Sequence, residues 1–206
     1  YPYYAEDFYK VVEKDKSYLS KFPKGFNLLF AGNIGVAQSF DTIVNAFEKL
    51  KEYDINLVVL GDGRDKLRIQ EQINEKGLNE KFYFLGSYPP EKMSHFFSCA
   101  DGLLITLKKA DIFSYTIPGK LQSYLACGKP IIGSLDGIGN KIISESNSGY
   151  VSKAEDSELL AQNIIKLSKA PKDDLNKFSA NALKYLNKNF NKHELLENLE
   201  NIFHRY

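Results

Sequence analysis

Short apolar runs alternate along the chain with longer stretches in which apolar residues recur every three or four positions. Phe26-Asn27-Leu28-Leu29-Phe30-Ala31 is too short for a stable helix and runs into Gly32-Asn33-Ile34-Gly35, so it reads as a buried strand entering a glycine loop. Residues 39–51 then carry Phe40, Ile43, Val44, Phe47 and Leu50 on one helical stripe. The same unit returns. Asn56 to Leu60 is a second strand, ended by Gly61-Asp62-Gly63-Arg64, and residues 65–76 form a helix that Gly77 stops. Phe82-Tyr83-Phe84-Leu85 is a third strand; Pro89-Pro90 breaks the chain before a short helix over 91–99, and residues 101–105 form a fourth. Leu121, Tyr124 and Leu125 mark a helix that Gly128 and Pro130 terminate, and Ile131-Ile132-Gly133 is a fifth strand. Gly149-Tyr150-Val151 is a sixth, and helices over 156–168, 172–187 and 192–204 complete the chain.

Strands that alternate with helices must run parallel, because each crossover helix covers a face of the sheet. The expected fold is therefore α/β: a Rossmann-like, doubly wound parallel sheet of about six strands with helices on both faces. Such sheets bind ligands beyond the carboxyl ends of their strands. Four loops leave those ends: 32–35, 61–64, 86–88 and 114–120. They are expected to converge on one crevice.

The last of these loops carries the sharpest chemistry. Thr116 is expected to cap a helix and Pro118 suits its first turn, where a missing N–H costs little. Gly119 and Lys120 then stand at the tip, and free amides beside an ammonium make an anion site. Glycines at 32, 35 and 61 let backbone approach a diphosphate closely. Arg64 is a second candidate cation, whereas Asp62 reads as a turn cap. Leu135-Asp136-Gly137-Ile138-Gly139-Asn140 reads as a further glycine loop. The Gly-x-Gly-x-x-Gly pattern at 61 is incomplete and lacks the acidic partner that an NAD ribose requires.

Composition narrows the choices. A net charge of +1 gives no global attraction to nucleic acid or membrane. Cys99 and Cys127 sit in apolar runs without metal-ligand spacing and read as core thiols of a reducing compartment. No apolar run reaches the roughly 20 residues of a spanning helix, no leader opens the chain, and the expected location is the cytoplasm. His95, His193 and His204 fall on helical segments away from the crevice loops, and no acidic cluster for a metal is apparent. The lysines of the last third, among them Lys166, Lys169 and Lys177, alternate with acids and asparagines and read as a solvated face. A peripheral contact with an anionic membrane surface is the alternative.

The stretch PGKLQSYLACGKPIIG resembles the helix–turn–strand signature of the group 1 (family 4) glycosyltransferases of GT-B fold, in the branch that builds O-antigen, capsule and colanic acid. VVLGDG and FLGSYPPEKMSHFFSCADGLLI are similar to two further blocks of that family, so the resemblance runs from Phe26 to the C-terminus. It implies that residues 25–206 are the domain that binds a nucleotide-sugar donor, that UDP or a UDP-sugar is the ligand, and that no cofactor or metal is used. It also implies that a second, N-terminal domain binds the acceptor, and that this chain alone binds donor without transferring sugar. Residues 1–24, with the aromatic and acidic run of Tyr1 to Tyr9, resemble the linker between the two halves or else form a terminal helix. The resemblance places the base near Ser87 and Tyr88. It places the phosphates near Gly35, Gly119 and Lys120, with Lys120 stabilising the leaving phosphate, and counts Gly32, Gly61, Arg64 and Pro118 among the residues that bind the nucleotide-sugar. The sugar falls near Ser114 and Tyr115. Positions that carry Arg and Lys against phosphate in many members hold Asn33 and Gln38 here. The family's paired glutamates fall on Tyr115 and Ser123. Two other readings stay open: a sugar-nucleotide epimerase of the same fold, and an α/β binding module without activity.

Overall fold

The computed structural model describes residues 8–204, so the part of the expected linker before Phe8 lies outside the described residues. A short helix, α1 (Lys16–Leu19), precedes β1 (Phe26–Ala31). A 3-10 turn at Val36–Gln38 leads into α2 (Phe40–Glu48), β2 (Ile55–Leu60) and α3 (Lys66–Glu75). A second such turn, Asn79–Lys81, precedes β3 (Phe82–Gly86) and α4 (Pro90–Cys99). Then come β4 (Gly102–Thr106), the one-turn α5 (Asp111–Ser114), α6 (Gly119–Ala126), β5 (Ile131–Ser134), α7 (Gly137–Ser146) and β6 (Gly149–Ser152). Helices α8 (Ser157–Ser168), α9 (Lys172–Asn189) and α10 (Lys192–Phe203) follow.

All six strands are parallel, in the order β3-β2-β1-β4-β5-β6. The chain winds outward from β1 to β3, returns to the centre at β4 and winds out the other way, so the order reverses between β1 and β4. Alternate residues of β1 enter two separate cores. Leu28 and Phe30 face α2, α3 and α8, while Leu29 and Ala31 face α4 and α6. Helix α9 lends Phe178 to the first core and Ala182 and Leu186 to the second, and so wraps the β6 edge.

The two halves of the sheet part where the order reverses. Strand β1 pairs with β4 only at Leu28–Gly102 and Leu29–Leu103. Just beyond that last pair, the Tyr124 hydroxyl fills the gap: it accepts from the Ala31 N–H at 3.0 Å and donates to the Leu104 carbonyl at 3.3 Å. Tyr124 is fully buried, and burial pushes its phenol further above its ordinary range, so it stays a neutral donor and acceptor. One side chain thus satisfies two backbone groups that would be orphaned where the strands diverge.

Residues 8–18 lie along the outer face of α4. The Ser94 hydroxyl donates to the Phe8 carbonyl at 2.8 Å and accepts from the Lys10 N–H at 3.1 Å. Further along, the Ser98 hydroxyl reaches the Glu13 carbonyl, and the Tyr18 ring stacks on His95 and meets Phe96 edge-on.

Three local expectations are corrected. Thr116 does not cap α6: its hydroxyl donates to the Ile112 carbonyl at 3.1 Å, and Pro118 itself is the N-cap, with no side-chain bond. The stretch expected to be loop between β4 and α6 contains α5, because Asp111 to Ser114 close one helical turn. Residues 137–140 are not loop but the first turn of α7, whose entry needs the positive φ of Gly137.

Tyr124→Phe keeps the ring in its core and removes the bridge. It leaves the Ala31 N–H and the Leu104 carbonyl without this partner inside the sheet. A loss of about 1–3 kcal/mol in urea unfolding is expected.

Candidate functional site

The loops after β1, β2 and β3 continue the hydrogen bonding of the sheet past the strand ends. Gly32 N–H donates to Leu60 O at 2.9 Å, Ile34 N–H to Asp62 O at 2.8 Å, and Gly61 N–H to Gly86 O at 2.8 Å. This closeness requires glycine: a Cβ on Gly61, at φ +137, would overlap the Gly32 carbonyl. The backbone at the mouth of the sheet is therefore a fixed floor.

A crevice of about 480 Å³ opens above it, at the point where the strand order reverses. Its two sides differ chemically. The α6 side presents Gly119, Lys120 and Ser123 opposite Gly32 and Asn33. The α4 side is apolar and aromatic, built from Tyr88, Pro90, Met93 and Phe97, with Tyr9 from the segment along α4. Asp62 also borders the crevice, but its carboxylate is occupied as a turn cap, accepting from the Gly63 N–H at 2.8 Å.

Lys120 is the centre of the polar side. Its Nζ lies 4.1 Å from the centroid of the Phe30 ring and donates to Gln38 Oε1 at 2.6 Å. A Cβ on Gly32 would come within 3.1 Å of that nitrogen. Gln38 is anchored in turn, because its carbonyl accepts from the Thr106 hydroxyl at the end of β4. Among the described residues no carboxylate is paired with the Lys120 amine. Burial without a counter-charge pulls it down from 10.5 to about 7. The site therefore holds a cation-forming group that is half-neutralised at neutral pH and has a neutral amide as its hydrogen-bond partner. A ligand anion would supply the missing charge.

The expected site residues separate into three sets. Gly32, Asn33, Gly61, Ser87, Tyr88, Gly119, Lys120 and Ser123 line the crevice together. Gln38 does not face it as a ligand group but holds Lys120, and Gly35 and Pro118 shape the turn and the helix start beside it. Arg64, Ser114 and Tyr115 are not brought in. Arg64 is exposed outside the crevice lining. The Ser114 backbone packs where Gly137 opens α7, and Tyr115 is 78% exposed. Sequence reasoning missed Tyr9, Met93, Phe97 and Tyr124. Their apolar spacing was visible, but it reads equally as ordinary core.

Among the described residues no three of His, Cys, Asp and Glu gather as a metal would need, and no helix is long and apolar enough to cross a membrane. Cys127 is buried, and its surroundings push the thiol up to about 12.

A doubly wound parallel sheet with a lysine-tipped helix at its reversal point defines an α/β domain suited to an anionic ligand. Residues 11–185 match the family described as Glycosyl transferases group 1, and the chain belongs to that family. An uncharacterized glycosyltransferase of Methanocaldococcus jannaschii is 25% identical over 205 residues, covering 94% of this chain and 49% of that protein. The chain thus spans about half the length of this curated relative. The Anabaena protein HepE, solved with UDP and glucose, superposes with a TM-score of 0.76 at 16% identity over 95% of this chain and 54% of its own. The C-terminal domain of a group 1 glycosyl transferase from Francisella tularensis has a TM-score of 0.74 at 17% identity, covering 90% of this chain and 97% of its own. These structural likenesses establish the shared GT-B-type α/β fold.

The depressed value of Lys120 has a consequence for stability. The unfolded chain keeps this proton up to about pH 10.5, while the folded chain releases it near 7. Stability therefore rises with pH through that window, and the penalty is complete below it. Lys120→Met should raise stability at pH 6 by about 1–2 kcal/mol, less than the full shift because the side chain keeps some solvent contact. The gain should shrink toward zero near pH 10. Urea unfolding of both proteins at the two pH values measures it.

Proposed function

We propose that this chain is the donor-binding half of a retaining glycosyltransferase that uses a nucleotide-diphosphate sugar, with UDP as the nucleotide. The observation that carries the reading is the Lys120 amine, partly desolvated and without a carboxylate, packed against Gly32 at the first turn of α6, where the strand order reverses. In transfer, the bond between the sugar's anomeric carbon and the diphosphate oxygen breaks, and charge builds on the leaving phosphate. A fixed ammonium and fixed amides placed there lower the barrier without rearranging during the reaction. The UDP bound by HepE and the common fold support this assignment.

The finer reading rests on the motif around Lys120. Its likeness to the O-antigen, capsule and colanic-acid branch supports a role in surface polysaccharide synthesis, with a glycan or lipid-linked acceptor held by an N-terminal domain. The share of each relative that this chain covers agrees with such a missing half. The work would be done in the cytoplasm, at or near the inner face of the membrane. Of the C-terminal lysines, Lys166 and Lys169 lie over the rings of Tyr150 and Tyr53, while Lys177 stays largely exposed beside Asp174 and remains able to meet an anionic surface.

Titration calorimetry with UDP tests the assignment. The wild-type chain should bind UDP, and Lys120→Ala should weaken binding at least tenfold. At pH 8 the empty site is mostly unprotonated, and the bound diphosphate favours the ammonium, so binding should take up a proton. The heat should then differ between buffers of unequal ionisation enthalpy, and affinity should fall as pH rises from about 7 toward the higher bound-state value and level off above it. A chain that binds no UDP would overturn the proposal.

A further inference from the structure

The crevice has an aromatic side that the anion chemistry leaves unexplained, and part of it comes from outside the sheet. Tyr9 belongs to the segment that lies along α4, ahead of β1, yet it lines the crevice together with Tyr88 and Phe97. Its backbone is fixed on both flanks by a single side chain: Ser94 bonds to the Phe8 carbonyl on one side and the Lys10 N–H on the other. Its ring lies nearly parallel to Phe97, with centroids 5.9 Å apart and 14° between planes. Phe97 in turn meets Tyr124 edge-on at 5.3 Å. A continuous aromatic row therefore runs from the leading segment to α6, the helix that carries Lys120.

We propose that Tyr9 is a nucleoside-binding residue, forming a wall of the base end of the crevice, so that the segment ahead of the sheet helps set donor affinity. This rests on the nucleotide reading above. The amides and amine lie on the α6 side and fix the diphosphate there. The nucleoside must then extend toward α4, where the available surface is apolar and aromatic. A nucleobase is flat and polarizable, and aromatic side chains hold such rings without reading their edges. The hydroxyl is not what the contact needs; the ring face is.

The protein contains no tryptophan, which gives a clean probe. Tyr9→Trp introduces the sole tryptophan, which excitation at the red edge separates from the tyrosines, and UDP at concentrations that calorimetry shows to be saturating should quench or shift its fluorescence. Inorganic pyrophosphate, which lacks the nucleoside, should leave it nearly unchanged. In calorimetry Tyr9→Ala should weaken UDP binding about tenfold while leaving pyrophosphate affinity within about twofold, and Tyr9→Phe should retain UDP affinity. Lys120→Ala, by contrast, should weaken both ligands. Emission unmoved by saturating UDP, or moved equally by pyrophosphate, overturns the proposal. Equal losses of UDP and pyrophosphate affinity in Tyr9→Ala do the same. If the wild-type chain binds pyrophosphate but not UDP, the nucleotide reading itself fails, and this inference with it.

Discussion

The Tyr124 hydroxyl lies where two neighbouring central strands stop bonding to each other, and the geometry of the site depends on it. A parallel sheet that stayed paired to its end would present a closed row of carboxyl ends. Here β1 and β4 diverge after Leu29–Leu103, and the gap exposes an amide and a carbonyl in a dry core. Bridging both with one phenol keeps the gap open without leaving orphaned polar groups. It also ties α6 to both strands at once. Lys120 stands four residues, about one turn, before Tyr124, so the bridge fixes where the amine can reach.

That placement gives Lys120 an environment unsuited to a charge and well suited to acquiring one. The amine rests against the Phe30 ring and a neutral amide, both of which favour a cation less than a carboxylate would. An acidic partner would hold the charge permanently and compete with an anionic ligand for it. A glutamine holds the position of the side chain and leaves the charge to be set by what binds. The same feature that lowers the stability of the empty fold would strengthen the response to the proposed diphosphate ligand.

Much of this architecture was legible from residue spacing. Six strands and their helices follow from apolar runs and helical stripes, because burial on two faces leaves that mark whatever the side chains do in detail. Strand order was not legible, since nothing local states that β4 returns to the side of β1. That the glycine loops and Lys120 meet at one crevice was readable because helix tips and left-handed backbone have sequence signals. The errors arose where a polar residue had two plausible partners. Thr116 had the chemistry of a cap but bonds backward to Ile112, and Gln38 resembled a ligand-facing group but grips Lys120. Ser114 and Tyr115 were expected at the crevice from topology and likeness, but Ser114 closes α5, Tyr115 is its exposed C-cap, and neither lines the crevice. Tyr124 reads as one more core aromatic in any apolar stripe. Its bridging role depends on strand divergence that no spacing rule describes.

The crevice divides its two tasks between surfaces of different stiffness. The floor beneath the polar side is backbone locked by glycine contacts, since a Cβ at Gly61 would collide with the Gly32 carbonyl, and Gln38 holds the Lys120 amine beside it. On the proposed reading this fixed surface is the one that meets the phosphate, where stabilising a developing charge demands little rearrangement. The α4 side is made of side chains, including one supplied by a segment held through the single Ser94 hydroxyl at two backbone points. Rings that pack against one another can shift by small amounts at little cost, whereas interlocked backbone cannot. If the donor binds as proposed, its reacting end meets the more rigid surface and its nucleoside the more adaptable one, so substitutions on the α4 side would retune which nucleoside is accepted while leaving the phosphate geometry intact.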